Sequence, residues 1–224
     1  TKSGINEMAY QQEPDSILWC VRDDGVFAGL TYQRSENVIA WHRHKLGGTF
    51  GTGSSATGYG VVESVASISG ELTEDELYVI VKRTINGATK RYVEVFAAFD
   101  FDETTSTDFR FLDSHLTYSG GSTTTLSGLS HLEGQVVSIL ADGATHADKT
   151  VSSGSVTLDR SVTSAVVGLK YDSVLQTMRV EGGAAQGTSQ GKIKRISKVV
   201  SRLFETVGAK VGPTLTDLET VPFR

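Results

Sequence analysis

Residues 128–171 read GLSHLEGQVVSILADGATHADKTVSSGSVTLDRSVTSAVVGLKY. Short apolar runs alternate there with turn residues. Val136-Val137-Ser138-Ile139-Leu140 stops at Ala141-Asp142-Gly143. Asp-Gly enters positive φ at little cost and marks a tight hairpin turn. Ser152-Ser153-Gly154 is a second break, and Ser155-Val156-Thr157-Leu158 alternates after it. Val162 to Leu169 is a third β-rich run. Strands this short, with turn signals about every ten residues, predict a small antiparallel sandwich or barrel. Nothing in the stretch is arranged for chemistry, so it reads as a β-rich building block.

Upstream, the first third reads as a β-meander. Ile17 to Arg22 is rich in aromatic and β-branched residues and is turned by Asp23-Asp24-Gly25. Val26 to Gln33 returns, Ser35-Glu36-Asn37 turns again, and Val38 to His44 is a third strand. Residues 47–60 are rich in Gly, Ser and Thr and read as a flexible surface loop. The loop has no Lys and no Walker spacing, so a phosphate cradle is not indicated. A second meander follows. Val61 to Ile68 is a strand, 69–76 an acidic turn, and Leu77 to Arg83 a strand running to Asn86-Gly87. Lys90 to Phe96 comes back with period-two alternation. Successive small meanders are how propeller blades look in sequence, although two blades close no propeller.

Composition bounds the function. The 224 residues suffice for one large or two small cores. Hydrophobic content of 38% and charged content of 21% give a globular balance. A net charge of −5 argues against a nucleic-acid groove, which needs clustered Lys and Arg. The longest apolar runs fall far short of the ~20 residues of a membrane helix. Residues 1–20 do not read as a signal peptide. The single cysteine, Cys20, excludes an intrachain disulfide and a multi-cysteine zinc site, and reads as a core residue. A start at Thr1 and a strand-like last stretch, Val221-Pro222-Phe223-Arg224, suggest a piece of a longer protein.

Two segments read ambiguously. Residues 97–107 and Asp108 are acidic and Thr-rich, with Asp100, Asp102, Glu103 and Asp108 close together. They lack the spacing and the Gly of a calcium loop and read as a solvated linker. Between Ile193 and Val207, Ile196, Val199, Val200, Leu203, Phe204 and Val207 repeat at helical spacing. Their β-branched and aromatic content, together with the resemblance described below, favours a strand returning to the first sheet, with a helix as the alternative. Lys192, Lys194, Arg195, Lys198 and Arg202 make this the most basic segment; a solvated face is the simple reading, contact with nucleic acid or an acidic subunit the sharper one.

Candidates for chemistry are sparse. The five histidines are His42, His44, His115, His131 and His146. His42 and His44 share a strand face at a spacing that can hold a metal, but no third ligand is near in sequence. His131 is close to Glu133, an acid–base combination that more often fixes a turn; no nucleophile motif accompanies it. Glu74 and Glu76 lie in a turn without aromatic sugar platforms, thin support for a glycosidase. The expectation is a protein that is not an enzyme, with no catalytic, cofactor-binding or metal residues and no cofactor.

Leu129 to Gly143, with Gly168-Leu169-Lys170-Tyr171, resembles a β-barrel module of short-tailed phage tail proteins, sometimes likened to a domain of ubiquitin-activating enzymes. Tyr10 to Trp19, Leu30-Thr31-Tyr32, Ala40-Trp41-His42-Arg43-His44 and Tyr78 to Arg83 resemble the same nozzle, hub or stabilisation proteins. The resemblance spans nearly the whole chain and transfers no catalytic residue. It implies a virion component assembled in the bacterial cytoplasm. It further implies a homo-oligomeric ring, six subunits in the full-length protein, below the head-to-tail adaptor. Tail fibre or needle proteins would be partners, and phage DNA would pass through the lumen without specific binding. An acidic lumen would let DNA slide by like-charge repulsion. The alternatives are a tail module binding a host-surface glycan, which exposed aromatics near residues 47–59 would favour, and a cell-wall-degrading tail enzyme. The expected architecture is all-β: a propeller-like meander module over 1–110, a small barrel or sandwich over 111–190, and a return segment over 191–224 that packs on the first module. The barrel would thereby be inserted between parts of the meander sheet.

Overall fold

The computed structural model describes residues 3–70, 74–97, 107, 109–178, 191, 193, 195–203, 206 and 208–222. Among them are thirteen strands and two single-turn 3-10 helices, so the fold is all-β. The chain divides into two compact units, 1–174 and 175–224.

The first unit begins with a four-stranded antiparallel meander. Its strands, in sheet order, are β1 (Ile5–Gln11), β2 (Ile17–Arg22), β3 (Phe27–Gln33) and β4 (Val38–His44). The period of two turns Trp19 and Val21 inward, and register places Phe27 opposite both Val21 and His44. β1 is a strand that the sequence reading passed over. Its apolar residues are interrupted by Asn6, Glu7 and Gln11.

A second sheet follows: β5 (Val61–Ser69), β6 (Asp75–Ile85) and β7 (Ala88–Val95), also in sequential order. Asn86 and Gly87 both have positive φ, 47° and 74°, which is the two-residue turn that suits the twist of a hairpin. The two sheets share one core of Trp19, Val21, Phe27, Leu46, Val62, Val65, Leu77, Val79 and Val81. The meanders are therefore two sheets packed over common side chains, and the described residues form no closed propeller.

Loop 47–60 is pinned, contrary to the flexible loop expected. Phe50 N–H donates to Thr57 Oγ1 at 3.0 Å and Thr57 N–H to the Phe50 carbonyl at 2.9 Å. Thr84 N–H donates to the Thr49 carbonyl at 2.9 Å, tying the loop to β6. Lys82 Nζ lies 4.3 Å from the centre of the Phe50 ring. Side-chain and backbone bonds here do the work that a sheet ladder does elsewhere.

The third sheet holds β8 (Asp113–Ser127), β9 (Val136–Ala141), β10 (Ala144–Thr150) and β11 (Ser155–Leu169), in the order β10-β9-β11-β8. Asp142-Gly143 turns β9 into β10 with φ of 48° and 74°. The runs 155–158 and 162–169 belong to one strand, whose register against β8 shifts between Thr157 and Val162 and again before Ser164. These irregularities bend β11 over a core that includes Leu126, Leu132, Val137, Ile139, Val156, Val162 and Val167. The sheet curls on that core, with β10 and β8 as its edges.

In the second unit, β12 (Lys210–Thr214) and β13 (Asp217–Thr220) form a hairpin. Residues 195–203 carry neither strand nor helix, which corrects both readings of that segment as far as it is described. Ile196, Val199 and Val200 are exposed. An isolated helix of this length is marginal in water. Phe204 and Val207 lie outside the described residues, as do Lys192, Lys194, Asp100, Asp102, Glu103 and Asp108 of the basic and acidic segments.

Phe27 is fully buried at the centre of the first core. Phe27→Ala is expected to cost about 3–5 kcal/mol, read as a lower urea midpoint at unchanged slope. A loss under about 1 kcal/mol would contradict this core.

Candidate functional site

The two histidines of β4 come together as their spacing suggests. His42 Nδ1 lies 2.7 Å from His44 Nε2, and His42 Nε2 lies 3.1 Å from Thr31 Oγ1. Trp19, Phe27 and Phe96 pack around the His44 ring, with centroids 5.2–6.3 Å away. Burial holds the His44 imidazole down to about 4, and His42 beside it pushes the same way. Burial also lowers His42. Two neutral rings can share a proton in a hydrogen bond, one donating and one accepting. Among the described residues no three His, Cys, Asp or Glu side chains are grouped to hold a metal ion.

The other sequence candidates are apart. His131 Nε2 is 3.0 Å from the Ser114 carbonyl, and its ring meets Tyr92 edge-on. The Glu133 carboxylate accepts from Ser153 N–H at 2.9 Å and Gly154 N–H at 2.8 Å. Each therefore fastens a turn, and they do not act on each other. His115 Nδ1 lies 2.9 Å from the Leu112 carbonyl. His146 Nδ1 lies 2.8 Å from the Ala147 carbonyl, and its Nε2 accepts from Asp159 N–H at 3.1 Å. Glu76 accepts from the Tyr78 hydroxyl at 2.6 Å, and that bond raises the phenol above its ordinary range. Cys20 is buried on the face of β2 opposite Trp19, and burial pushes its thiol up, away from the reactive thiolate.

A polar centre that the sequence reading missed surrounds Arg83. Period two puts Arg83 on the inward face of β6 with Val79, Val81 and Ile85, and it is wholly buried. A charge in register with three valine and isoleucine positions was the available signal. Its Nε donates to the Gly47 carbonyl at 2.7 Å. Its Nη1 donates to Glu94 Oε1, and its Nη2 to Glu94 Oε2 at 3.1 Å. Gly47 N–H in turn donates to Asp113 Oδ2 at 2.6 Å. Burial raises the Asp113 carboxyl, only partly offset by the Gly47 N–H and the Arg83 charge. Gly48 sits at φ 92°, and a Cβ there would come within 2.9 Å of Arg83 Cδ. The cluster joins β6, β7, the 46–48 corner and the start of β8, so it fastens the meander sheets to the curled sheet. It offers no open position for a substrate.

Exposed aromatics occur away from the 47–60 loop. Tyr10, Tyr32 and Trp41 stand on the outer face of the first sheet. An open cleft of about 480 Å³ beside Tyr10 and Tyr32 is lined also by Gln12, Glu13, Gln33 and Arg34 among others. No helix among the described residues is long and apolar enough to cross a membrane. In comparisons with known proteins, no family model and no curated protein matches the chain.

Two outcomes follow. Glu94→Ala leaves a buried guanidinium unpaired and is expected to cost about 3–5 kcal/mol. Arg83→Met with Glu94→Leu should be markedly more stable than Glu94→Ala in the same denaturant titration. For His44, the folded state disfavours the proton that the unfolded chain accepts near pH 6.5. Its contribution is full above that pH, falls away as pH drops toward 4, and is flat below; the loss is at most about 3 kcal/mol. Unfolding free energies of wild type and His44→Phe between pH 7 and pH 4 check this: the variant should lack that part of the slope.

Proposed function

We propose that this chain is a structural part of a phage or prophage tail, a nozzle or hub ring below the head-to-tail adaptor that lines the DNA-ejection conduit. The resemblance of residues 10–19, 30–32, 40–44, 78–83, 129–143 and 168–171 to such proteins suggests the role. One structural observation carries it furthest: the described polar candidates for chemistry are spent on holding the fold. His131 and Glu133 each tie a turn, His42 faces His44, and Arg83 is locked to Glu94. A conduit subunit needs stiff β modules with broad lateral contacts, and needs no active site. The chain's net charge of −5 suits a lumen that DNA crosses without sticking. In this reading the protein is not an enzyme. It works in the virion, assembles in the bacterial cytoplasm, and contacts the adaptor and the fibre or needle proteins. Six copies form the ring in the full-length protein.

A second reading is favoured by Tyr10 and Tyr32. Amphipathic aromatic rings on one sheet face beside a polar cleft suit the stacking of sugar rings. It makes the chain a module that binds a host-surface glycan.

Full-length protein taken from assembled particles is expected to appear as a closed ring by electron microscopy. A strict monomer, or absence from virions, would overturn the tail reading, and specific binding on a glycan array would then favour the second.

A further inference from the structure

The β1–β2 turn, residues 12–16, and the β3–β4 turn, residues 34–37, stand at the same end of the first sheet. Both turns line the open cleft of about 480 Å³. That volume is within the ~300–1,000 Å³ of small-ligand sites. Sheet register decides which rings face it. Tyr10 aligns with Leu18 and Leu18 with Leu30, and Tyr32 follows Leu30 by two residues on the same outer face. Two strand spacings across and two residues along put the Tyr10 and Tyr32 backbones about 12 Å apart. Ser16, just before β2, lies between them, and its carbonyl accepts from Tyr32 N–H at 2.9 Å. A small residue between two large ones makes a trough with aromatic sides. Tyr10 is 53% exposed and Tyr32 47%.

The frame of the cleft is anchored to the second sheet. Asp75 Oδ2, at the start of β6, accepts from Gln12 N–H at 2.7 Å and from Glu13 N–H at 3.2 Å. Asp75 N–H donates to the Glu13 carbonyl at 3.1 Å. Gln33 Nε2 donates to Asp15 Oδ1 at 3.2 Å and ties one turn to the other. Among the described residues, however, the side chains of Gln12, Glu13, Arg34 and Glu36 have no hydrogen-bond or ion-pair partner, and all four line the cleft. Amide, carboxylate and guanidinium present donors and acceptors in planar pairs. Such pairs match the adjacent hydroxyls of a sugar, while the tyrosine rings cover its C–H face. An apolar ligand would leave the polar groups covered and unpaired. A proline-rich peptide would meet the rings and not the polar groups. Glu13 and Glu36 against Arg34 leave one negative charge in excess, which disfavours sialic, uronic and phosphorylated sugars. Resting on the glycan reading above, we propose that this cleft binds a neutral saccharide, with sugar rings stacked on Tyr10 and Tyr32 and hydroxyls held by Gln12, Glu13 and Arg34. Because both turns are already tied down, binding orders side chains and little backbone. An open cleft leaves much of the ligand wet, so a single site is weak and clustered ligands strengthen it.

The 224-residue chain is applied to an array of neutral hexose and N-acetylhexosamine oligosaccharides beside sialylated, uronic and phosphorylated ones. Neutral members are expected to bind, with the acidic ones at background. The strongest neutral binder is then titrated in solution. Tyr10→Ala and Tyr32→Ala are each expected to weaken it roughly tenfold or more. Trp41→Ala, on the same face but outside the cleft, is expected to leave it unchanged. Circular dichroism and melting check that each variant folds. Acidic glycans bound in place of neutral ones would overturn the proposal and leave the glycan reading standing. So would neutral binding that both tyrosine variants retain, or that Trp41→Ala loses equally. A chain that binds nothing on the array overturns both.

Discussion

The buried guanidinium of Arg83 is the constraint on which the first unit turns. A guanidinium brings its charge and five N–H donors wherever it goes. Removing it from water is costly unless the donors are met. Glu94 takes both terminal nitrogens and the Gly47 carbonyl takes Nε. Those partners fix their own surroundings. Gly47 must be small, because a Cβ there would meet Leu169 Cβ at 2.8 Å. Its N–H then anchors Asp113, the first residue of β8, while Leu169 is the last of β11. One side chain thus ties the ends of two long strands of the curled sheet to the meander. Gln135 Nε2, 3.4 Å from the Thr84 carbonyl, and Tyr92 against His131 extend the same contact.

Much of the sheet structure was legible from turn chemistry. Asp142-Gly143 and Asn86-Gly87 each name a turn that only positive φ at two residues can make, and alternation on either side names the strands. β2 to β7 and β9 follow from these signals. β8 does not, because Gly120-Gly121 interrupt it and weaken local strand preference; its pairing with β11 supplies the stability. β11 looked like two strands, because register shifts rather than turn residues bend it. The Arg83 centre was invisible as a whole, since residues 47, 83, 94 and 113 meet only after three sheets have formed. Residues 195–203, the described run of the 193–207 stripe, were misread because periodicity describes a face and does not by itself make an element.

The histidines show how a site-like pattern resolves into packing. His42 and His44 have a spacing that suits a metal, but their nearest ring nitrogens face each other inside an aromatic cluster. Low-dielectric surroundings favour their neutral forms, in which the two rings can share a hydrogen bond while packing against Trp19 and Phe27. The acid–base pair read at His131 and Glu133 likewise separates into two turn fasteners. Apolar residues remain exposed on the outer faces of both meander sheets and in the stripe of the second unit.

That account requires residues 3–174 to behave as one stiff body. ¹⁵N relaxation measures it most directly. The account predicts one rotational correlation time shared by amides of β2–β7 and of β8–β11, with separation of the two groups only when Glu94 is replaced by Ala. Two distinct correlation times in the unaltered chain would contradict it.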